Sequence, residues 1–355
     1  MTKKKLSKPK KPTLKKPSEK EKRQDKFIEE SKGGGSYFTD NNKGIDFVSS
    51  GCELLNCALG GGWPLGRVVN IVGDRSSGKT LLAIEACANF VKDFPEGGIE
   101  YHEAEAAFDK RYAQALGMPV DKIEFTEGSD GTVEGLFESL RDRCEKQQKS
   151  GNKPFLYIID SLDALSDRSE KDRDIDAGTF GGNKAKKMSE LFRRLIVDLE
   201  NSNILLVVVS QVRDNIGVTF GAKHTRSGGK ALDFYASIVL WLSEKGKIKK
   251  TIRGVERPVG IQVKAHCKKN KVSLPYRECE FPIIFGYGVD DLIANLDWLI
   301  KVKELPDEFA GKTAKQIAFL LRNAKAVETI NGLNTIVRLL WAEIESEFLP
   351  KETKY

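Results

Sequence analysis

The sequence predicts an α/β fold with a mostly parallel central sheet, antiparallel strands at one edge, and a small helical region at the C-terminus. Three observations predict it. β-Branched apolar runs alternate with helical patterns from residue 67 onward, strand patterns with short connections follow, and from about residue 288 the apolar spacing is helical. The division that results is a basic tail with a short helix over 1–32, a core over 33–287 that opens with a subunit-interface segment, and a helical C-terminal domain over 288–355.

The first strand runs are "RVVNIVG", "GGIEYHEAE", "PFLYIIDSL" and "NILLVVVSQV", of which all but the second are too continuously apolar for a sheet with one wet face. Between them, "TLLAIEACANFVKDF", "VEGLFESLRDRCEKQ" and "KKMSELFRRLIVDLEN" carry helical spacing and supply the crossovers of a parallel sheet. The rhythm then changes. "ASIVLWLSEK", "VGIQVKAHCKK" and "ECEFPIIFG" read as antiparallel additions at one edge, and "DLIANLDWLIKVKEL", "TAKQIAFLLRNAK" and "NTIVRLLWAEIESEFL" as the terminal helices.

Composition excludes several classes. No apolar run is long enough to span a bilayer, and the N-terminus lacks the apolar segment of a secretion signal. The six cysteines have no paired C-x-x-C spacing and there are three histidines, which argues against zinc and points to a reducing cytoplasm. The net charge of +7 is unevenly placed: residues 1–26 hold eleven lysines and Arg23 against Glu19, Glu21 and Asp25, a net of +9, which leaves −2 for the rest. Such a tail, nearly devoid of apolar residues, is expected to be disordered. It serves either solubility or nonspecific contact with nucleic-acid phosphates.

"GDRSSGKT", residues 73–80, joins the first buried strand to the first helix. The spacing G-x-x-x-x-G-K-[ST] in a strand–loop–helix context is a phosphate cradle. Gly73 and Gly78 let the backbone turn so that the N–H groups of Asp74, Arg75, Ser76 and Ser77 point inward, and the helix from Lys79 through Leu81 adds its positive dipole end. Lys79 reaches the β- and γ-phosphates, and Thr80 offers a hydroxyl to Mg²⁺. A nucleoside triphosphate, ATP with Mg²⁺, is the expected ligand. Asp160, at the end of "FLYIID", fits the second Mg²⁺-directed carboxylate. Glu100, Glu103 and Glu105 all qualify to orient the attacking water, and pattern alone does not choose among them. Gln211, at the carboxyl end of a core strand, is placed to sense the γ-phosphate. Two glycine-rich loops follow core strands, "SDRSEKDRDIDAGTFGGNKAKK" and the more basic "VRDNIGVTFGAKHTRSGGKALDFYAS". Cations with interleaved Ile216, Val218 and Phe220 suit single-stranded nucleic acid.

The order of these features resembles the RecA recombinase family, including its bacterial and phage-encoded members. The resemblance rests on "GCELLNCALGGGWPLGRVVNIVGDRSSGKT", "EAEAAFDKRYAQALG", "IIDSLDAL", "SQVRDNIGVTFG", "SGGKALDFYAS" and "KKNKVSLPYRECEFPIIFGYG", across roughly residues 45–300. It implies a RecA-like ATPase core, and a DNA-dependent ATPase that forms homo-oligomeric helical filaments on single-stranded DNA, engages duplex DNA, and catalyses homologous pairing and strand exchange in recombination and repair. It implies Glu105 as the catalytic glutamate, Asp109, Tyr112 and Gly286 at the nucleotide, and Gln211 as the link from γ-phosphate to DNA. Lys186, Arg193, Arg213, Ile216, Gly228 and Gly229 are implied at DNA, Tyr37 and Phe234 at the subunit interface, and Lys269 and Lys271 on the neighbouring protomer's ATP. Phe180 stands as the side chain that wedges between bases. The chain departs from the family pattern at Asp233 and Val239, where basic interface residues are usual, and at Phe285, where a Tyr is usual. A basic N-terminal tail and the absence of an acidic C-terminal one both favour DNA binding. A ring-forming motor of the same fold is disfavoured by "KNK" and "SGGKALDFYAS". A non-hydrolysing DNA-binding mediator is disfavoured by the intact set Lys79, Thr80, Glu105, Asp160 and Gln211.

Overall fold

The computed structural model describes residues 44–104, 108–127, 131–171, 183–214, 224–226 and 229–350. A short antiparallel pair, β1 (Phe47–Val48) and β2 (Trp63–Pro64), brackets α1 (Glu53–Leu59). The chain continues as β3 (Val68–Gly73), α2 (Lys79–Asp93), β4 (Gly98–Glu103), α3 (Lys110–Ala115) and β5 (Ile123–Glu127). Next come α4 (Val133–Lys149), β6 (Phe155–Asp160), α5 (Arg168–Lys171), α6 (Asn183–Asn201), β7 (Ile204–Asp214), β8 (His224–Arg226) and α7 (Gly229–Tyr235). The remainder is β9 (Ile238–Ile252), β10 (Val255–Asn270), β11 (Arg277–Ile284), β12 (Gly288–Val289), α8 (Asp291–Lys301), α9 (Ala314–Asn323) and α10 (Val327–Phe348).

The sheet runs in the order β12-β11-β10-β9-β3-β7-β6-β4-β5, with β8 paired to β7. From β9 to β5 every neighbour is parallel, and β10, β11 and β12 extend the sheet antiparallel at one edge. The α/β architecture is therefore the one the patterning predicts. β3 and β6 are buried along their whole length because each has a helical layer on both faces. Val69, Ile71, Leu156, Ile158, Leu205 and Val207 face α1, α2 and the C-terminal helices. Val68, Val72, Tyr157, Ile159, Leu206 and Val208 face α4, α6 and α7. Alternation along each strand thus serves two apolar cores at once.

Several short elements lay outside the pattern reading, among them α1, α3, α5, α7, β1, β2 and β8, and three further features did too. β5 is a strand whose Glu124 and Thr126 dilute its apolar signal, and it pairs with β4 from Ile99↔Ile123 to Glu103↔Glu127. α10 begins seven residues before "NTIVRLL", at Val327, because Ile330 packs onto the core. β9 and β10 reach Ile252 and Val255 through a polar stretch that no core covers.

Helices α8–α10 pack into the same apolar cluster as α1 and α2, through Leu292, Leu296, Leu299, Ile317, Leu333 and Val337. Arg338 on α10 donates twice to Glu53 on α1, at 2.8 and 3.1 Å, and Arg277 on β11 pairs with Glu345. Among the described residues, no helix is long and apolar enough to cross a membrane.

Glu85 ties the helix after the phosphate loop to this region. The Val289 N–H donates to its Oε1 at 2.6 Å, and burial pushes its carboxyl up to about 7. Burial likewise raises Asp291 to about 6. In both, the folded state holds a proton more tightly than the unfolded chain, so this stability is present below about pH 4 and lost as pH rises through 6 to 7. Unfolding free energy from urea titrations is expected to fall between pH 4.5 and 7. Glu85→Gln keeps the acceptor for Val289 and is expected to remove roughly 3 kcal/mol of that fall. An unchanged pH profile in the variant would refute the assignment.

Candidate nucleotide site

Parallel pairing fixes what lies at the carboxyl edge of the sheet. Gly73 ending β3 is in register with Gln211 on β7, and Glu103 ending β4 with Asp160 ending β6. The strand ends and the phosphate loop therefore converge. Arg75, Ser76, Lys79, Thr80, Asp160 and Gln211 line one cleft of about 340 Å³, floored by Ser161 and Val209.

The loop's shape follows from its sequence. Gly78 caps α2 with φ of 94°, left-handed backbone that favours glycine. No side chain caps α2, so its first N–H groups face the cleft end, where the helix dipole favours an anion. The Asp74 carbonyl accepts from Lys79 Nζ at 2.6 Å and from Ser77 Oγ at 2.9 Å. Lys79 is folded against its own loop and is 8% exposed, whereas Thr80 is exposed on the cleft. Leu81 turns into the core instead.

Asp160 is held by a partner that sequence patterning does not single out. The Tyr101 hydroxyl donates to Asp160 Oδ2 at 2.7 Å from a fully buried ring. Burial, and then the neighbouring Asp160 charge, push the Tyr101 phenol well up, so it remains a donor. The signal was the two-residue period of "IEYHE", which puts Tyr101 on the same face as Glu103. A second such residue is Asp163, whose Oδ2 accepts the Gln211 backbone N–H at 2.7 Å. A hydroxyl at Thr80 and an oriented carboxylate at Asp160 on one cleft are hard oxygen donors that suit Mg²⁺.

Glu100 points the other way. It accepts from Thr126 Oγ1 at 2.7 Å and from Arg143 Nε at 2.8 Å, which makes it a structural anchor for α4. Glu103 stays at the cleft edge of β4. Glu105 lies outside the described residues, as do Tyr37, Phe180, Ile216, Gly228 and the basic tail.

The remaining residues implied by the resemblance are dispersed. Asp109 caps α3 by accepting from the Arg111 and Tyr112 N–H groups, and Tyr112 is 44% exposed. Gly286 sits in the β11–β12 turn between the exposed Phe285 and Tyr287. Lys186 and Arg193 line an open groove on α6 with Arg194. Arg213 lies on β7 and Gly229 opens α7. Phe234 on α7 is 69% exposed. Lys269 Nζ donates to the Asp233 and Phe234 carbonyls at 2.5 and 2.7 Å, and Lys271 Nζ to Phe234 at 3.5 Å. Both lysines thus sit at the carbonyl end of α7 and not among the residues lining the cleft.

A glycine-capped loop between a central parallel strand and a helix, facing an anchored carboxylate, places the chain in the phosphate-loop class of nucleotide-binding proteins. The RecA N-terminal domain matches residues 24–290, most of the chain's 355 residues, and the chain belongs to the RecA family of recombinase-type ATPases.

Tyr101→Phe leaves Asp160 Oδ2 without its buried donor. It is expected to cost about 1–3 kcal/mol of stability by chemical denaturation and to raise the Mg²⁺ concentration needed for nucleotide binding in a fluorescent-nucleotide titration. Wild-type Mg²⁺ dependence in a folded variant would show that Asp160 needs no anchor.

Proposed function

We propose that this protein is a DNA-dependent ATPase that assembles as a filament on single-stranded DNA and catalyses homologous pairing and strand exchange, in the manner of bacterial and phage members of its family. One observation carries the reading. β7 passes the cleft at Gln211 and continues to Asp214, and β8 returns antiparallel beside it with Val212 opposite Arg226. The strand that lines the phosphate cleft is thus also the stem of the basic, glycine-rich loop proposed to hold DNA, so a change felt at Gln211 has a short rigid path to it.

In the proposed cycle, Lys79 exchanges the Asp74 carbonyl for β- and γ-phosphate oxygens, and the first N–H groups of α2 cradle the phosphates. Thr80 and Asp160 would hold Mg²⁺, whose charge would offset that on the phosphate oxygens. Glu105 orients a water and takes its proton as the water oxygen bonds to the γ-phosphorus. The bond from that phosphorus to the bridging oxygen of the β-phosphate breaks, leaving ADP and phosphate. Tyr101 keeps Asp160 in place throughout. Gln211 reads the γ-phosphate, so DNA is held in the ATP state and released after hydrolysis. Lys269 and Lys271 complete the site of the adjacent protomer, which agrees with their place at the carbonyl end of α7, beside the exposed Phe234.

Glu105→Gln is expected to bind ATP and to hydrolyse it at least about a hundredfold more slowly, with a longer lifetime on single-stranded DNA by stopped-flow dissociation. Near-normal turnover in this variant, with turnover lost in Glu103→Gln, would move the base to Glu103.

Completion in trans has its own test. Lys269→Ala/Lys271→Ala and Lys79→Ala are each expected to be nearly inactive alone. Mixed on single-stranded DNA, they are expected to regain partial ATPase where an intact loop meets an intact lysine pair. No recovery despite co-assembly by cross-linking would place the lysines outside the neighbour's site.

A further inference from the structure

The β9–β10 ribbon extends well past the sheet that carries it. β3 pairs with β9 only as far as Leu242, and β11 pairs with β10 only from Gly260. The part of β9 beyond Leu242 extends for roughly 30 Å at the usual strand rise. Residues 249–258 are exposed on both strands. The tip is a two-residue turn, Arg253 and Gly254, with φ of 50° and 79°, the left-handed pair whose twist suits a hairpin.

The ribbon's two faces differ. Lys250 lies opposite Arg257 and Ile252 opposite Val255; as alternate pairs of one ladder they share a face. The intervening pair, Thr251 and Glu256, lies on the other face, where Lys249 binds Glu256 at 2.8 Å. The first face therefore carries two cations with no carboxylate among residues 249–258, and Arg253 at the turn adds a third. At its tip Ile252 and Val255 are 59% and 50% exposed. No core explains two β-branched side chains there.

We propose that this ribbon is a duplex-DNA arm: its cationic face lies in a groove against the phosphates, and Ile252 and Val255 press between base steps at the tip. A two-stranded ribbon has the width a DNA groove admits, and apolar wedges flanked by cations are how proteins partly unstack and bend a duplex. Two small side chains are too little for the core of a protein–protein interface. The arm goes beyond the proposed ATPase and strand-exchange activity, since it needs neither nucleotide nor the cleft.

The test uses the full chain without nucleotide and a fluorescent duplex in a salt series. Lys250→Ala/Arg253→Asn/Arg257→Ala is expected to reduce the slope of log affinity against log salt by about 2.7, three contacts at about 0.9 each. Asparagine is used at Arg253 because it tolerates the left-handed turn. Ile252→Ala/Val255→Ala is expected to keep the slope and to relax the bend, read as a longer end-to-end distance by energy transfer on a doubly labelled duplex. A third variant, with residues 249–258 replaced by Asn-Gly, is expected to show both losses and guards against a misfolded tip. In all three, ATPase activity with single-stranded DNA is expected to match wild type. The basic tail contributes equally to every chain, so the differences belong to the ribbon. An unchanged salt slope in the first and third variants would overturn the arm and leave the face to an acidic protein. Equal loss of single- and double-stranded binding would also overturn it. A wild-type chain without DNA-stimulated ATPase that still shows the duplex differences would instead remove the proposed function and leave the arm standing.

Discussion

Register between parallel strands is the constraint on which the rest of the molecule depends. Side chains alternate along a strand, so a slip of one residue between β6 and β4 would turn Tyr101 or Asp160 to the opposite helical layer. The observed pairing, Glu103 with Asp160 and Gly73 with Gln211, places every polar strand end at one edge. The apolar layers on both faces hold that register, because Val69, Ile71, Leu156 and Ile158 have one cluster to enter and Val68, Val72, Tyr157 and Ile159 the other. The cleft is thus a consequence of core packing.

Several polar groups buried near that edge are matched to specific partners. Asp160 has the Tyr101 hydroxyl, Ser210 donates to Asn70 Oδ1 at 2.9 Å inside the sheet, and the Gln211 N–H has Asp163. In a low-dielectric interior such pairs are worth keeping intact, since losing either partner leaves the other desolvated. They also explain how strand ends bearing polar side chains stay ordered at an open cleft. The Val289 N–H on Glu85 extends this fastening from the phosphate-loop helix to β12, the strand that leads into α8.

Much of this was legible in the sequence. The parallel core was, because β3, β6 and the first part of β7 are nearly continuous apolar runs, and the phosphate loop was, because few other uses exist for two glycines and a lysine between a strand and a helix. Asp160 and Gln211 were legible as polar residues ending apolar runs. The family resemblance ordered the rest. What was not legible depends on three-dimensional pairing. Tyr101 and Asp163 act through distant partners, and Glu100 looked equivalent to Glu103 until Arg143 and Thr126 were placed around it. β5 and the outer half of the β9–β10 ribbon were missed for one reason: strands exposed on a face or an edge carry little apolar periodicity, which is the signal a pattern reader uses.

The cleft and the loop stem meet on β7, so the proposed link from ATP to DNA runs through that shared strand. Steady-state ATP hydrolysis, measured with and without single-stranded DNA across a range of protein concentrations, tests it most directly. A low basal rate is expected to rise to a plateau as DNA is added, with activity per chain increasing as protein concentration allows neighbours to assemble. A rate indifferent to DNA that the protein demonstrably binds would contradict it.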